Sequence, residues 1–183
     1  MHGHKIINQN GIHFLTMTIV GWINILDREE YKQIIIESFK FCQINKGLAI
    51  NAFVIMSNHI HLICYAKESY ALSDVIRDFK KFTSKAIIDK IIESSTESRK
   101  AWILELLKKF GTANSKNKTF QLWQNDNKPI ELATEKWTKQ KLAYIHLNPV
   151  RYGYVAEAEH YLYSSAGSYI GLEGLVELEL LDV

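Results

Sequence analysis

Two histidines, His59 and His61, stand on either side of a single isoleucine in the apolar run FVIMSNHIHLICYA (53–66). In a strand, side chains two apart leave the same face of the sheet, so the two imidazoles project together. Neighbouring imidazoles can ligate one divalent metal, but a pair is an incomplete site and needs a third ligand from elsewhere. The same spacing suits a half-exposed strand face that binds nothing, and on spacing alone that plainer reading leads. Structural zinc usually takes four Cys or His ligands. Beyond the pair and His2 and His4, the chain offers His13, His146 and His160, with Cys42 and Cys64.

A second group lies some 85 residues on, in KQKLAYIHLNPVRYGYV (139–155). Tyr144 and Asn148 are four apart and share a helix face, with Lys141 one turn earlier and Trp137 two turns earlier. A phenol, a carboxamide and an ammonium do not make a core stripe; Leu142, Ala143, Ile145 and Leu147 are the expected core positions. A tyrosine oxygen can serve as a covalent nucleophile when activated, by a metal or by Lys141, and Asn148 can lend a carbonyl oxygen to a metal. Taken singly, Tyr144 reads as an aromatic at a helix–sheet contact and Asn148 as a terminator before Pro149.

The elements that must position these residues follow from periodicity. IHFLTMTIV (12–20) reads as a first strand ended by Gly21. Asp27 and Glu30 match a capping box, and Tyr31, Ile34, Ile35, Phe39 and Cys42 continue a helix that Gly47 stops. Residues 48–56 and 59–66 read as two strands joined by a Ser-Asn turn, an antiparallel hairpin. Leu72, Val75, Ile76, Phe79, Phe82, Ala86 and Ile87 form the stripe of a second helix, whose other side carries Arg77, Lys80, Lys81 and Lys85. Trp102, Ile103, Leu106, Leu107 and Phe110 give a third helix stopped by Gly111. Extended pieces are expected at 120–124 and 128–133, and a last helix from Thr134 to about Leu147 or Asn148, since a residue before proline avoids the helical region. The order predicts an α+β fold: a ferredoxin-like antiparallel sheet with helices packed on one face. A helical insertion over about 91–119 and a C-terminal tail over about 166–183 complete one domain spanning 1–183.

Composition adds limits. A net charge of +2 does not establish a nucleic-acid partner, because clustering of Lys and Arg matters more than their sum. Two cysteines make neither a disulfide framework nor a thiolate metal site. The start lacks the apolar region of a secretory signal, and no segment approaches the roughly 20 apolar residues of a membrane helix. A cytoplasmic protein with no membrane partner is expected.

The strand with its two histidines resembles the H-hydrophobic-H strand of the single-tyrosine HUH transposases of the IS200/IS605 type. AYIHLNPVRYGYV resembles the Y-I-x-x-N-P-V-[KR]-x-G segment of their REP-associated tyrosine transposase branch, and LWQ (122–124) and YSS (163–165) look like landmarks of that branch. The likeness runs from about Ile12 to Ser165. It implies that His59, His61 and Asn148 hold one Mg²⁺ or Mn²⁺, and that Tyr144 attacks a phosphate of single-stranded DNA bearing a hairpin. A 5′-phosphotyrosine and a free 3′-OH would result. Asn148 stands where many IS200/IS605 proteins have Gln. Relatives are dimers with shared sites, so a homodimer, with the tyrosine helix serving its own or a partner's histidines, is left open.

For DNA contacts, Arg77, Lys80, Lys81 and Lys85 come first, then Lys141, Arg151, Lys116 and Lys118, with Trp123 as a base-stacking candidate; a solvated helix face and a core tryptophan are the competing readings. Two other functions fit less well. A non-catalytic hairpin DNA- or RNA-binding protein that retains the fold needs none of His59, His61 and Tyr144. A hydrolase using metal-bound water or a carboxylate pair finds no Asp or Glu at a suggestive spacing beside the histidines.

Overall fold

The computed structural model describes residues 5–113 and 119–182. His2, His4, Lys116 and Lys118 lie outside the described residues. Four strands, β1 (His13–Thr18), β2 (Leu48–Ile55), β3 (His59–Ala66) and β4 (Ile130–Glu131), form an antiparallel sheet in the order β2-β3-β1-β4. β1 and β2 are joined across β3 by the helix α1 (Glu29–Lys46), and α2 (Leu72–Glu93) follows β3. This is the split β-α-β arrangement that the sequence predicts.

Alternation along the strands sorts the side chains. Leu15, Met17, Ile60, Leu62 and Cys64 point to one face, where they pack with Tyr31, Ile35 and Phe39 of α1 and Val75, Ile76 and Phe79 of α2 in the main core. Phe14, Ala52, Val54, Met56 and Ile63 point to the other. That second face is covered by α4 (Glu135–Arg151) through Ile145, with Leu142 and Tyr144 against it. Two helices on one face are as expected; the tyrosine helix takes the opposite face, and that choice builds the site. Its inward stripe also differs from the expected one. Thr138, Ile145, Asn148 and Pro149 are buried, while Ala143 and Leu147 are exposed.

Three helix ends depart from the local rules. α4 runs through Pro149 to Arg151, because the turn beyond the proline closes on backbone bonds from Tyr152 N to Asn148 O and Tyr154 N to Pro149 O. α1 has Arg28 at its cap with no side-chain cap, and Glu30 pairs with Arg28 rather than closing a box with Asp27. Gly111 does not stop α3 (Lys100–Thr112): a Cβ there would meet the Thr119 carbonyl oxygen at 2.5 Å, so glycine is needed for close chain passage. On α2, Thr83 is buried and Phe82 faces solvent.

The C-terminal segment shields the edge strand β2. Ile55 N donates to Tyr163 O, Ser165 N to Phe53 O and Glu179 N to Ile50 O. Covering an edge in this way removes a template for pairing with another chain. The Ser165 hydroxyl also lies 2.9 Å from His146 Nε2, which ties α4 to the same edge. The YSS segment thus helps fix the tyrosine helix on the sheet.

Candidate active site

β3 presents His59 and His61 on the face covered by α4, their ring centroids 4.6 Å apart. Both are buried. Each imidazole is oriented through Nδ1. For His59 the partner is Asn58 Oδ1 at 2.7 Å, and since a carboxamide oxygen only accepts, Nδ1 carries the proton and Nε2 the lone pair. For His61 the partner is the Thr16 hydroxyl at 3.0 Å, on the β1 residue directly opposite in the ladder. Asn58 is itself fixed: its amide donates to Asn24 Oδ1 (2.8 Å) and to Trp22 O (3.3 Å). Such partners set the tautomer and aim of a ligating histidine.

α4 brings Tyr144 to His61, ring centroids 5.0 Å apart, and Tyr152 just beyond its end to His59, at 6.4 Å. Asn148 lies one helix turn beyond Tyr144, on the same side of α4, and its side chain is buried. Phe14 stacks on His61 at 5.2 Å and meets Tyr144 edge-on at 6.0 Å. The Lys141 ammonium sits 4.7 Å from the Phe14 centroid and 5.7 Å from that of Tyr144, and the Arg151 guanidinium 5.6 Å from Tyr144. His59, His61, Tyr144, Lys141 and Arg151 are therefore gathered by one chain, and helical spacing puts the buried Asn148 on the Tyr144 side of α4.

Two atoms here test the fit to a metal ion. His61 Nε2 and Asn148 Oδ1 are buried without a hydrogen-bond partner. A buried polar atom left so costs about 1–3 kcal/mol, and a cation ligated by both would remove that cost. Two imidazoles and a carboxamide oxygen would make an N,N,O set for a divalent cation, with positions left for other ligands. Among the described residues no three His, Cys, Asp or Glu side chains cluster.

Burial lowers His59 to about 4, and burial, then His59 and Lys141, lower His61 to about 3. Burial likewise lowers His146 to about 4. All three are neutral at pH 7, the form a metal ligand requires. The unfolded chain takes up protons near 6.5, before the folded one does. The metal-free protein is thus expected to lose stability as pH falls from about 6.5 towards 4. Urea unfolding at pH 7 and pH 5 checks this: the midpoint drops, and drops less in His61→Gln, because glutamine takes up no proton.

The model of the family described as "Transposase IS200 like" matches residues 9–124, more than half of the chain. The chain belongs to that family. The match includes His59 and His61 and stops before Tyr144 and Asn148. Among solved structures, that of a REP-associated tyrosine transposase bound to a REP hairpin shares the fold. Its TM-score is 0.67 at 17% identity, with 100% of this chain and 94% of that chain covered. A protein of Deinococcus radiodurans R1 designated a transposase gives a TM-score of 0.45 at 17% identity, covering 79% of this chain and 95% of that one. Comparison with curated proteins gives no match.

The remaining DNA-binding candidates fall elsewhere on this family member. Arg77, Lys80, Lys81 and Lys85 line a cleft of about 550 Å³ between α2 and residues 120–127. Arg77 is paired with Asp74 and Asp78, and Lys85 with Asp89. Lys80 donates to Gln124 O and Asn127 Oδ1, both at 2.6 Å, and burial lowers its ammonium to about 8. It anchors a loop, and Lys81 is the more exposed cation beside it. Trp123 is a correction: it is 4% exposed, bridges to Ile19 and donates its indole N–H to Thr83 at 3.0 Å. It is a core residue with no face open to a base. Sequence reasoning missed Thr16, Asn58, Trp22 and Tyr152. Thr16 alone had a signal, since the fold predicts that β1 pairs with β3.

Proposed function

We propose that this transposase is a metal-dependent single-stranded DNA transesterase that cleaves and rejoins DNA near a hairpin through Tyr144. What carries the reading is the meeting of Tyr144 with the His59–His61 pair, beside two unpartnered donor atoms, on the face opposite the main core. His59, His61 and Asn148 would hold one Mg²⁺ or Mn²⁺, which when bound supplies Lewis-acid polarisation of the scissile phosphate.

The chain's own groups do the rest. Tyr144 Oη attacks phosphorus, a bond forms between them, and the bond from phosphorus to the 3′ oxygen breaks. The phenol gives up its proton and the departing 3′ oxygen gains one, so the step is balanced and leaves a 5′-phosphotyrosine with a free 3′-OH. Attack by a 3′-OH on that linkage reverses it and rejoins strands without outside energy. Lys141 and Arg151 place two positive charges beside the Tyr144 ring, where they can hold the phosphate and offset its developing charge. Phe14 and His61 fix the ring's position. All these groups come from one chain, so a single copy supplies the set, and a homodimer is not needed to complete it.

The hairpin partner is inferred from the structural relative, which is bound to a REP hairpin. Lys81, with Arg77 and Lys85 once released from their exposed aspartate pairs, would meet phosphates of its stem, since such surface pairs are worth little.

The test incubates the protein with Mn²⁺ and labelled single-stranded DNA carrying hairpins drawn from the genome that encodes it. The expected result is a protein–DNA adduct that survives a denaturing gel and does not form with EDTA. DNA bound but never linked to protein would instead favour a non-catalytic hairpin binder.

A further inference from the structure

We infer that Trp22 and Tyr152 form a base-stacking clamp holding the nucleotides on either side of the scissile phosphate. The inference rests on the proposed reading of the site and assigns it a nucleotide-binding subsite. Both rings contact the His59 imidazole, Trp22 at a centroid distance of 6.2 Å and Tyr152 at 6.4 Å. They come from different elements: Trp22 from the turn after β1, Tyr152 from just past α4. Trp22 is 55% exposed and Tyr152 63%. Neither belongs to the core clusters, so both rings stand in water beside a buried histidine.

The backbone of Trp22 strengthens the case. Its φ is +56°, a left-handed conformation uncommon for any residue but glycine, and it follows Gly21 at +64°. Such strain persists only where the surroundings over-determine it, and it collects at ligand-binding positions. The surroundings here are specific. Phe110 of α3 lies so close under Gly21 that a Cβ would come within 3.0 Å of its ring. Arg99, at the start of α3, donates to Asn24 O at 3.1 Å. Asn58, the residue that orients His59, reaches Trp22 O. The helical insertion therefore holds up the turn that displays the indole.

On the other side the aromatic surface continues. Tyr154, 44% exposed, lies 6.4 Å from Tyr152, and Tyr161 lies 5.9 Å from Tyr154. Exposed flat rings beside His59, at a site where Lys141 and Arg151 flank the Tyr144 ring, fit a polyanion whose bases are unstacked. That describes a single strand; a duplex keeps its base faces covered.

The experiment measures fluorescence anisotropy, in EDTA so that nothing is cleaved. The probes are a hairpin DNA with ten-nucleotide single-stranded flanks and a blunt duplex of the same stem. The wild-type chain is expected to prefer the flanked hairpin. Trp22→Ala and Tyr152→Ala should each weaken that binding about 5- to 100-fold, as loss of one stacked base does. They should leave duplex binding, melting temperature and salt slope unchanged, because no phosphate contact is lost. Trp22→Phe should keep most of the affinity and Trp22→Leu should not. Flanked-hairpin binding equal to wild type in both alanine variants overturns the clamp while the strand-cleavage reading stands. So does equal rescue by Leu and Phe, which would make the position merely apolar. A wild-type chain that forms no adduct and shows no preference for the flanks sinks both.

Discussion

Tyr144→Phe is expected to abolish the proposed covalent protein–DNA adduct while leaving folding and DNA binding in place. The ring is held by contacts that need no hydroxyl: edge-on packing to His61 and Phe14, and cations over its faces from Lys141 and Arg151. Phenylalanine keeps all of these and loses only the attacking oxygen. Removing a nucleophile outright lowers turnover by at least about a thousandfold, so adduct should fall below detection on a denaturing gel. The chain has nine tyrosines, and Tyr152 also touches a site histidine. Tyr152→Phe is the informative control. It preserves a stacking ring, and it should still form adduct. An adduct that persists in Tyr144→Phe and vanishes in Tyr152→Phe would move the nucleophile by two helix turns and undo the assignment.

The parts of this site that were legible in the sequence are those set by short-range periodicity. A strand period puts His59 and His61 on one face, and a helix period puts Tyr144 and Asn148 on one side. The ferredoxin-like arrangement and the hairpin of the second and third strands followed from the succession of elements, and the order β2-β3-β1-β4 agrees with them. What was not legible depends on which elements come together. The pull of Asn58 on His59 depends on Asn24, more than thirty residues earlier in the chain. Trp22 drew no reading because nothing local announces a left-handed tryptophan; Phe110 and Arg99, on and just before α3, pack against and bond to that turn. Pro149 shows the reverse, a strong local bias overridden because Tyr152 and Tyr154 amides satisfy the carbonyls of the final turn. The basic edge of α2 was visible as a spacing, but its aspartate partners and the burial of Lys80 emerge only in three dimensions.

His61→Ala should remove divalent-metal binding and strand cleavage together, with a larger effect than any change to the residues that orient the pair. His61 Nε2 is buried and unpartnered, as is Asn148 Oδ1, which is a poor state for a structural histidine and a suitable one for a ligand. Its Nδ1 is taken by Thr16, leaving Nε2 as the ring nitrogen available to a cation. Losing one of three protein ligands should weaken Mn²⁺ binding by more than about a hundredfold. Asn58→Ala, which frees the His59 ring but keeps every ligand, should cost about 10- to 100-fold, the usual range for an outer partner. Titration of Mn²⁺ followed by electron paramagnetic resonance reads both variants without requiring a DNA substrate. Free Mn²⁺ disappearing equally in wild type and His61→Ala would mean the cation sits elsewhere. The buried imidazole pair would then be a feature of the sheet face alone, and the reason for Tyr144 lying against it would have to be sought in packing with Phe14.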